Sequence, residues 1–125
     1  MASLNKVQLI GRLGRDPETR FTPSGTKVAN FSVAVGRRWR GADGEVKEDT
    51  DWFNVVAWGR LAEICQEYLI KGRLVYIEGR LKTDRYEVDG ETRYSTKVVA
   101  RNMQMLERKP EEPEPEPPAE DEDEE

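Results

Sequence analysis

The chain has 125 residues, room for one domain built on one hydrophobic core. Its charge is split: all 20 Lys and Arg stand in residues 1–109 beside 15 of the 25 acids, a net +5, whereas residues 110–125 hold the other 10 acids and no base. The formal total of −5 averages two opposite segments and does not argue against a polyanionic partner. With no His and a single cysteine, Cys65, His-based triads, His/Cys zinc sites and an intramolecular disulfide are excluded. Met1-Ala2-Ser3-Leu4-Asn5-Lys6 opens without a long apolar run, so no signal peptide is expected. No stretch approaches the ~20 apolar residues of a membrane span. A soluble, cytoplasmic protein without membrane contact is expected.

In chain order, Val7–Leu13 reads as a strand in which Gly11 marks a bulge. Pro23-Ser24-Gly25 is a turn. Val28–Gly36 alternates, with Ala29, Phe31, Val33 and Val35 on one face and Asn30, Ser32 and Ala34 on the other. Arg40–Lys47, with Gly41 and Gly44, reads as a polar loop, and Asp51–Gly59 as a third strand. Leu61, Ile64, Cys65, Tyr68 and Leu69 follow the spacing of a helix face, and Gly72 supplies its C-terminal signal. Leu74–Leu81 is a fourth strand with Val75, Ile77 and Leu81 on one face. Asp89-Gly90 marks a hairpin, and Thr92–Leu106 returns as a fifth strand. From Pro110 onward Pro alternates with Glu, a composition that cannot bury enough surface to offset ordering and favours extended polyproline II. The order predicts an all-β fold: a five-stranded OB-fold Greek-key barrel over residues 1–109, with one helix between strands 3 and 4, followed by a disordered acidic tail over 110–125.

Trp52 and Trp58 are separated by an even number of residues in one predicted strand, so both side chains emerge on one face. Phe53, Val55 and Ala57 take the other face as the core set. Two readings stand: tryptophans that cover a barrel end or a subunit contact, or a stacking platform for unpaired bases, which any aromatic face accepts. Tyr76, Arg80, Lys82 and Tyr86 share parity opposite Val75, Ile77 and Leu81, a pattern that suits a backbone-tracking groove or a solvated hairpin face. Arg37-Arg38-Trp39-Arg40 is the densest basic cluster, yet strict alternation puts Trp39 with Phe31 and Val33 on the core side. Asp49-x-Asp51 lacks a third convergent acid, and Gly11-x-x-Gly14 is not followed by a helix, so neither a metal centre, a cofactor site nor catalysis is expected.

These stretches resemble the bacterial single-stranded DNA-binding proteins. The resemblance rests on Asn5-Lys6-Val7, Gly11-Arg12-Leu13-Gly14-Arg15-Asp16-Pro17, Val28-Ala29-Asn30-Phe31, Asp51-Trp52, Leu61-Ala62-Glu63 and Glu67-Tyr68-Leu69-Ile70-Lys71-Gly72. Val75-Tyr76-Ile77-Glu78-Gly79 and Met103-Gln104-Met105-Leu106 complete it. It implies a non-catalytic homotetramer that binds single-stranded DNA with little sequence preference in replication, recombination and repair, at the nucleoid. It also implies base stacking at Trp39, Trp52, Trp58 and Tyr86, and a DNA surface that includes Arg60 and Lys71. Arg37, Arg38, Arg80 and Lys82 join them as candidate phosphate contacts. Two departures stand out. Phe53 replaces a His common near a subunit contact, and the acidic tail lacks the apolar tip by which relatives dock replication and repair proteins. The tail is then either a competitor for the groove or a solubilising segment. An OB-fold protein–protein module and an RNA-binding module remain the alternatives, since no residue visibly reads a 2′-hydroxyl.

Overall fold

The computed structural model describes residues 2–107. The acidic tail and the domain boundary expected at residue 109 lie outside them. Six strands and one helix follow in the order β1 (Val7–Leu13), β2 (Glu18–Phe21), β3 (Lys27–Arg40), β4 (Val46–Trp58), α1 (Arg60–Tyr68), β5 (Leu74–Val88) and β6 (Glu91–Met105). The sheet runs β1-β5-β6-β4-β3-β2, and a further pairing of β1 with β3 closes five strands into a barrel and leaves β2 as an added edge. All ladders are antiparallel except β4 with β6. The single helix stands between the strands expected as third and fourth, here β4 and β5.

Alternation produces the core. Ala29, Phe31 and Val33 of β3 face Val55 and Ala57 of β4, and Val75, Ile77, Val98 and Leu9 complete the interior. Ala62, Cys65 and Leu69 of α1 plug one end. Burial pushes the Cys65 thiol up to about 11, so this cysteine packs as a small apolar residue and is not a nucleophile. Gly59, at φ 63, lets the chain leave β4 and start α1 without a side-chain cap. The helix ends at Tyr68, three residues earlier than Gly72 implies; Gly72, at φ 87, instead turns the chain back so that its N–H donates to the Leu13 carbonyl. Arg73 is the one buried charged side chain among the described residues. It donates to the Tyr68 carbonyl at 3.2 Å and the Glu107 carbonyl at 3.0 Å, tying the helix end to the end of β6.

Four expectations are corrected. The ladder β1–β5 is continuous through Gly11, and the bulge lies instead opposite Glu78 and Gly79. Gly11 is small because a Cβ there would overlap the Ala34 carbonyl where β1 meets β3. Short, exposed β2 has no apolar alternation to announce it. The loop placed at 40–47 shrinks to residues 41–45, because Arg37–Arg40 pair with Val46–Asp49 in an extended hairpin. Leu81 has core parity but is 43% exposed, because β5 and β6 run past the barrel to a tight turn at Asp89 (φ 52) and Gly90 (φ 81). Both hairpins continue the ladder where no second layer is left to cover them.

Candidate functional site

Residues directly opposite each other in a ladder share a face. The pairs Ala34–Trp52 and Val28–Trp58 put both tryptophans on the outer face of β4. Val56–Val99 carries that face across to β6, and Arg80–Val99, Lys82–Lys97 and Tyr86–Arg93 carry it on to β5. Trp58, Arg80, Lys82 and Lys97 therefore converge on one recess of about 200 Å³, floored by Val56 and Val99. Trp52 is 61% exposed, Trp58 47% and Tyr86 45%, so large aromatic faces stand in solvent beside the cations. An apolar floor, an open indole and three cations suit a ligand that is flat, apolar and negatively charged at its edge.

The cations are not equivalent. Asp84 bonds both Lys82 and Lys97, each at 3.0 Å. Those two ammonium groups, Lys82 first, hold its carboxyl below the usual range. Arg80 has no ion-pair partner among the described residues. Lys97 was not singled out in the sequence. The apolar residues Val98 and Ala100 on the opposite parity could turn it outward, but only the parallel pairing of β6 with β4 brings it to Trp58.

The second expected cluster is divided. Gly36, Arg38, Thr50 and Trp52 line an open recess of about 690 Å³ on the β3–β4 hairpin. Trp39 pairs with Lys47 and so takes the face opposite Trp52 and Trp58, as strict alternation requires. It stays 40% exposed because the hairpin has left the barrel behind, and the Arg37 guanidinium covers its ring at 4.7 Å. Arg37 bonds Asp49 and Asp51, each at 3.2 Å, and Arg38 bonds Glu48 at 2.6 Å. These two arginines are held in exposed ion pairs within their own hairpin.

Arg60 opens α1, and Lys71 follows it in a turn whose Lys71 N–H donates to Asp16 at 2.8 Å. Neither lines the Trp58 recess. The Tyr76 hydroxyl donates to Glu78 at 2.9 Å and accepts from Gln8 at 3.0 Å, in a polar network away from the recess. Among the described residues no three His, Cys, Asp or Glu side chains gather to hold a metal ion, and no helix is long and apolar enough to cross a membrane.

A closed five-strand barrel with one helix and an exposed aromatic–cation face is an OB-fold binding module. The family model described as "Single-strand binding protein family" matches residues 4–106, and the chain belongs to that family, one of binding proteins and not enzymes. Single-stranded DNA-binding protein 1 of Chlorobaculum tepidum is 50% identical over 105 residues, covering 82% of this chain and 65% of that protein. The single-stranded DNA-binding protein of Neisseria meningitidis serogroup A is also 50% identical over 105 residues, covering 83% of this chain and 60% of its own length. The chain thus spans less than two thirds of the length of these relatives. A solved structure titled "Plasmodium falciparum SSB complex with ssDNA" superposes with a TM-score of 0.81 at 33% identity, covering 86% of this chain and 98% of that one.

Proposed function

We propose that this chain binds single-stranded DNA with little sequence preference and protects it during replication, recombination and repair. The observation that carries this is the convergence of Trp58 with Arg80, Lys82 and Lys97 on one recess. Bases stack on the exposed indoles of Trp52 and Trp58 and on the Tyr86 ring, whatever their identity, and the cations take the phosphates. Stacking contributes about 1–3 kcal/mol per base in single-strand binders, a range for the class rather than a value derived from this chain. Arg37, Arg38, Arg60 and Lys71 add outlying contacts, and Trp39 a base contact on the other side of the hairpin. Kinship with single-stranded DNA-binding proteins at 50% identity supports this reading.

The binding unit is the body, residues 1–109, and the Pro/Glu-rich acidic segment 110–125 is not counted in it. The working form is a homotetramer in the cytoplasm, at the nucleoid. The free edge of β1 supports self-association: Val7–Gly11 pair with β5 alone, and Ile10 beside that edge is 57% exposed. The test is a fluorescence titration with dT oligomers, in which the tryptophan emission quenches and double-stranded competitor fails to reverse it. Matched RNA oligomers report the sugar preference.

A further inference from the structure

A second recess, of about 330 Å³, abuts the first and shares Arg80 and Val99 with it. Its other lining residues are Asn5, Gly79, Ala100 and Arg101. It sits at the bulge: Gly79 pairs with Ala100 and Glu78 with Asn102, so Arg101 is the extra residue, skipped by the ladder. Its side chain is 68% exposed. Lys97, Val99 and Arg101 follow at strand alternation, which spreads the two cations over ~13 Å along β6. Gly79 lets the backbones of β5 and β6 close up beside the recess, since a Cβ there would overlap the Val99 carbonyl.

We propose that this recess holds a backbone phosphate of the same single strand, between Arg80 and Arg101, and carries the strand from Trp58 past the bulge toward Asn5. This rests on the reading given under Proposed function. The occupant follows from continuity with the first recess and from charge, since Arg80 has no ion pair among the described residues. Arg101 is held by Glu78, and the exchange to a phosphate is cheap for two reasons. An exposed ion pair is worth little. Glu78 also keeps Lys6 at 3.6 Å and the Tyr76 hydroxyl at 2.9 Å, so its carboxylate is not stranded when Arg101 turns away. Asn5 shapes the far wall, its amide already spent on both the N–H and the carbonyl of Leu81.

The experiment compares the full chain with Arg101→Gln and Arg101→Lys, titrating a long dT oligomer across a salt series. The slope of log K against log salt falls by about 0.7 in Arg101→Gln, the share of one single-strand phosphate, and is restored in Arg101→Lys. Trp58→Ala weakens binding with its slope unchanged. An Arg101→Gln slope and affinity equal to those of the unaltered chain overturn the subsite. Should that variant misfold, the Arg101 Nε–Hε NMR signal of the unaltered chain decides: it shifts on adding saturating dT, and a fixed signal overturns the proposal. Failure of the unaltered chain to bind dT at all is a separate result, seen as unquenched tryptophan emission, and it overturns the function itself.

Discussion

The indole of Trp52 lies against Gly14: a Cβ on that glycine would stand 2.6 Å from Cζ3 of the ring and 2.7 Å from the Ser32 hydroxyl. The Gly14 N–H donates to the Ser32 carbonyl at 3.0 Å, so the segment after β1 forms a backing plate that steadies an otherwise exposed ring. Gly14 is needed here for space and not for an unusual backbone angle. Gly14→Ala is expected to tilt the indole and weaken dT binding in the same direction as Trp52→Ala, with the fold retained. Titration beside a circular dichroism spectrum checks it, and unaltered affinity would show that the plate does not matter.

Trp58→Ala is expected to cost about 1–3 kcal/mol of binding, roughly 5- to 150-fold in Kd, with little change in salt dependence. Arg80→Gln is expected to do the reverse, lowering the salt slope by about 0.7. A salt series on both variants separates stacking from phosphate contact.

How much of this site was legible depended on whether its geometry is local. The common face of Trp52 and Trp58 follows from alternation within one strand, and so does the opposite placement of Trp39. Lys97 belongs to a strand whose parallel pairing with β4, and whose bulge at Arg101, no alternation pattern states. β2 leaves no signal in the sequence because its four residues bury no apolar face. The stretch 40–47 reads as loop because its charges look solvated, which they are, while its ladder continues through Arg40–Val46. The sequence singles out Gly11 as a bulge, whereas it closes the barrel against Ala34 and the ladder runs straight through it.

Asp84 restrains the groove by holding Lys82 and Lys97. Asp84→Asn is expected to release both, tighten dT binding several-fold at low salt and steepen its salt dependence. Binding isotherms at two salt concentrations check this, with weaker binding as the contrary outcome.

Gly79→Ala is expected to destabilise the barrel by about 1–3 kcal/mol, on the order of 5–20 °C in Tm, because the obstacle is backbone and cannot swing aside. A Cβ there meets the Val99 carbonyl and the neighbouring Ala100 Cα. Thermal unfolding measures it.

Acid should loosen the fold in a defined window. The carboxyls of Glu78, Asp84 and Glu107 are each held below their ordinary values, chiefly by hydrogen bonds from Arg101, Lys82 and Arg12 respectively. A depressed carboxyl contributes stability above its unfolded pKa, and that contribution is lost as pH falls through the folded one. Tm is therefore expected to be flat from neutrality down to about pH 5 and to fall below about pH 4, with Glu107→Gln removing part of the fall.

The split between a body of +5 and a terminal segment of −10 bears on the same groove. If the segment competes with DNA for the cations, deleting residues 110–125 tightens dT binding most at low salt. Equal affinity with and without it leaves the segment a spacer.

The most direct test of the central claim is one titration: tryptophan emission against dT oligomers of increasing length at two salt concentrations. The account predicts strong quenching, affinity that rises with length until the face is filled, and a steep loss at the higher salt. Emission that stays flat, or an affinity for duplex equal to that for single strands, would contradict it.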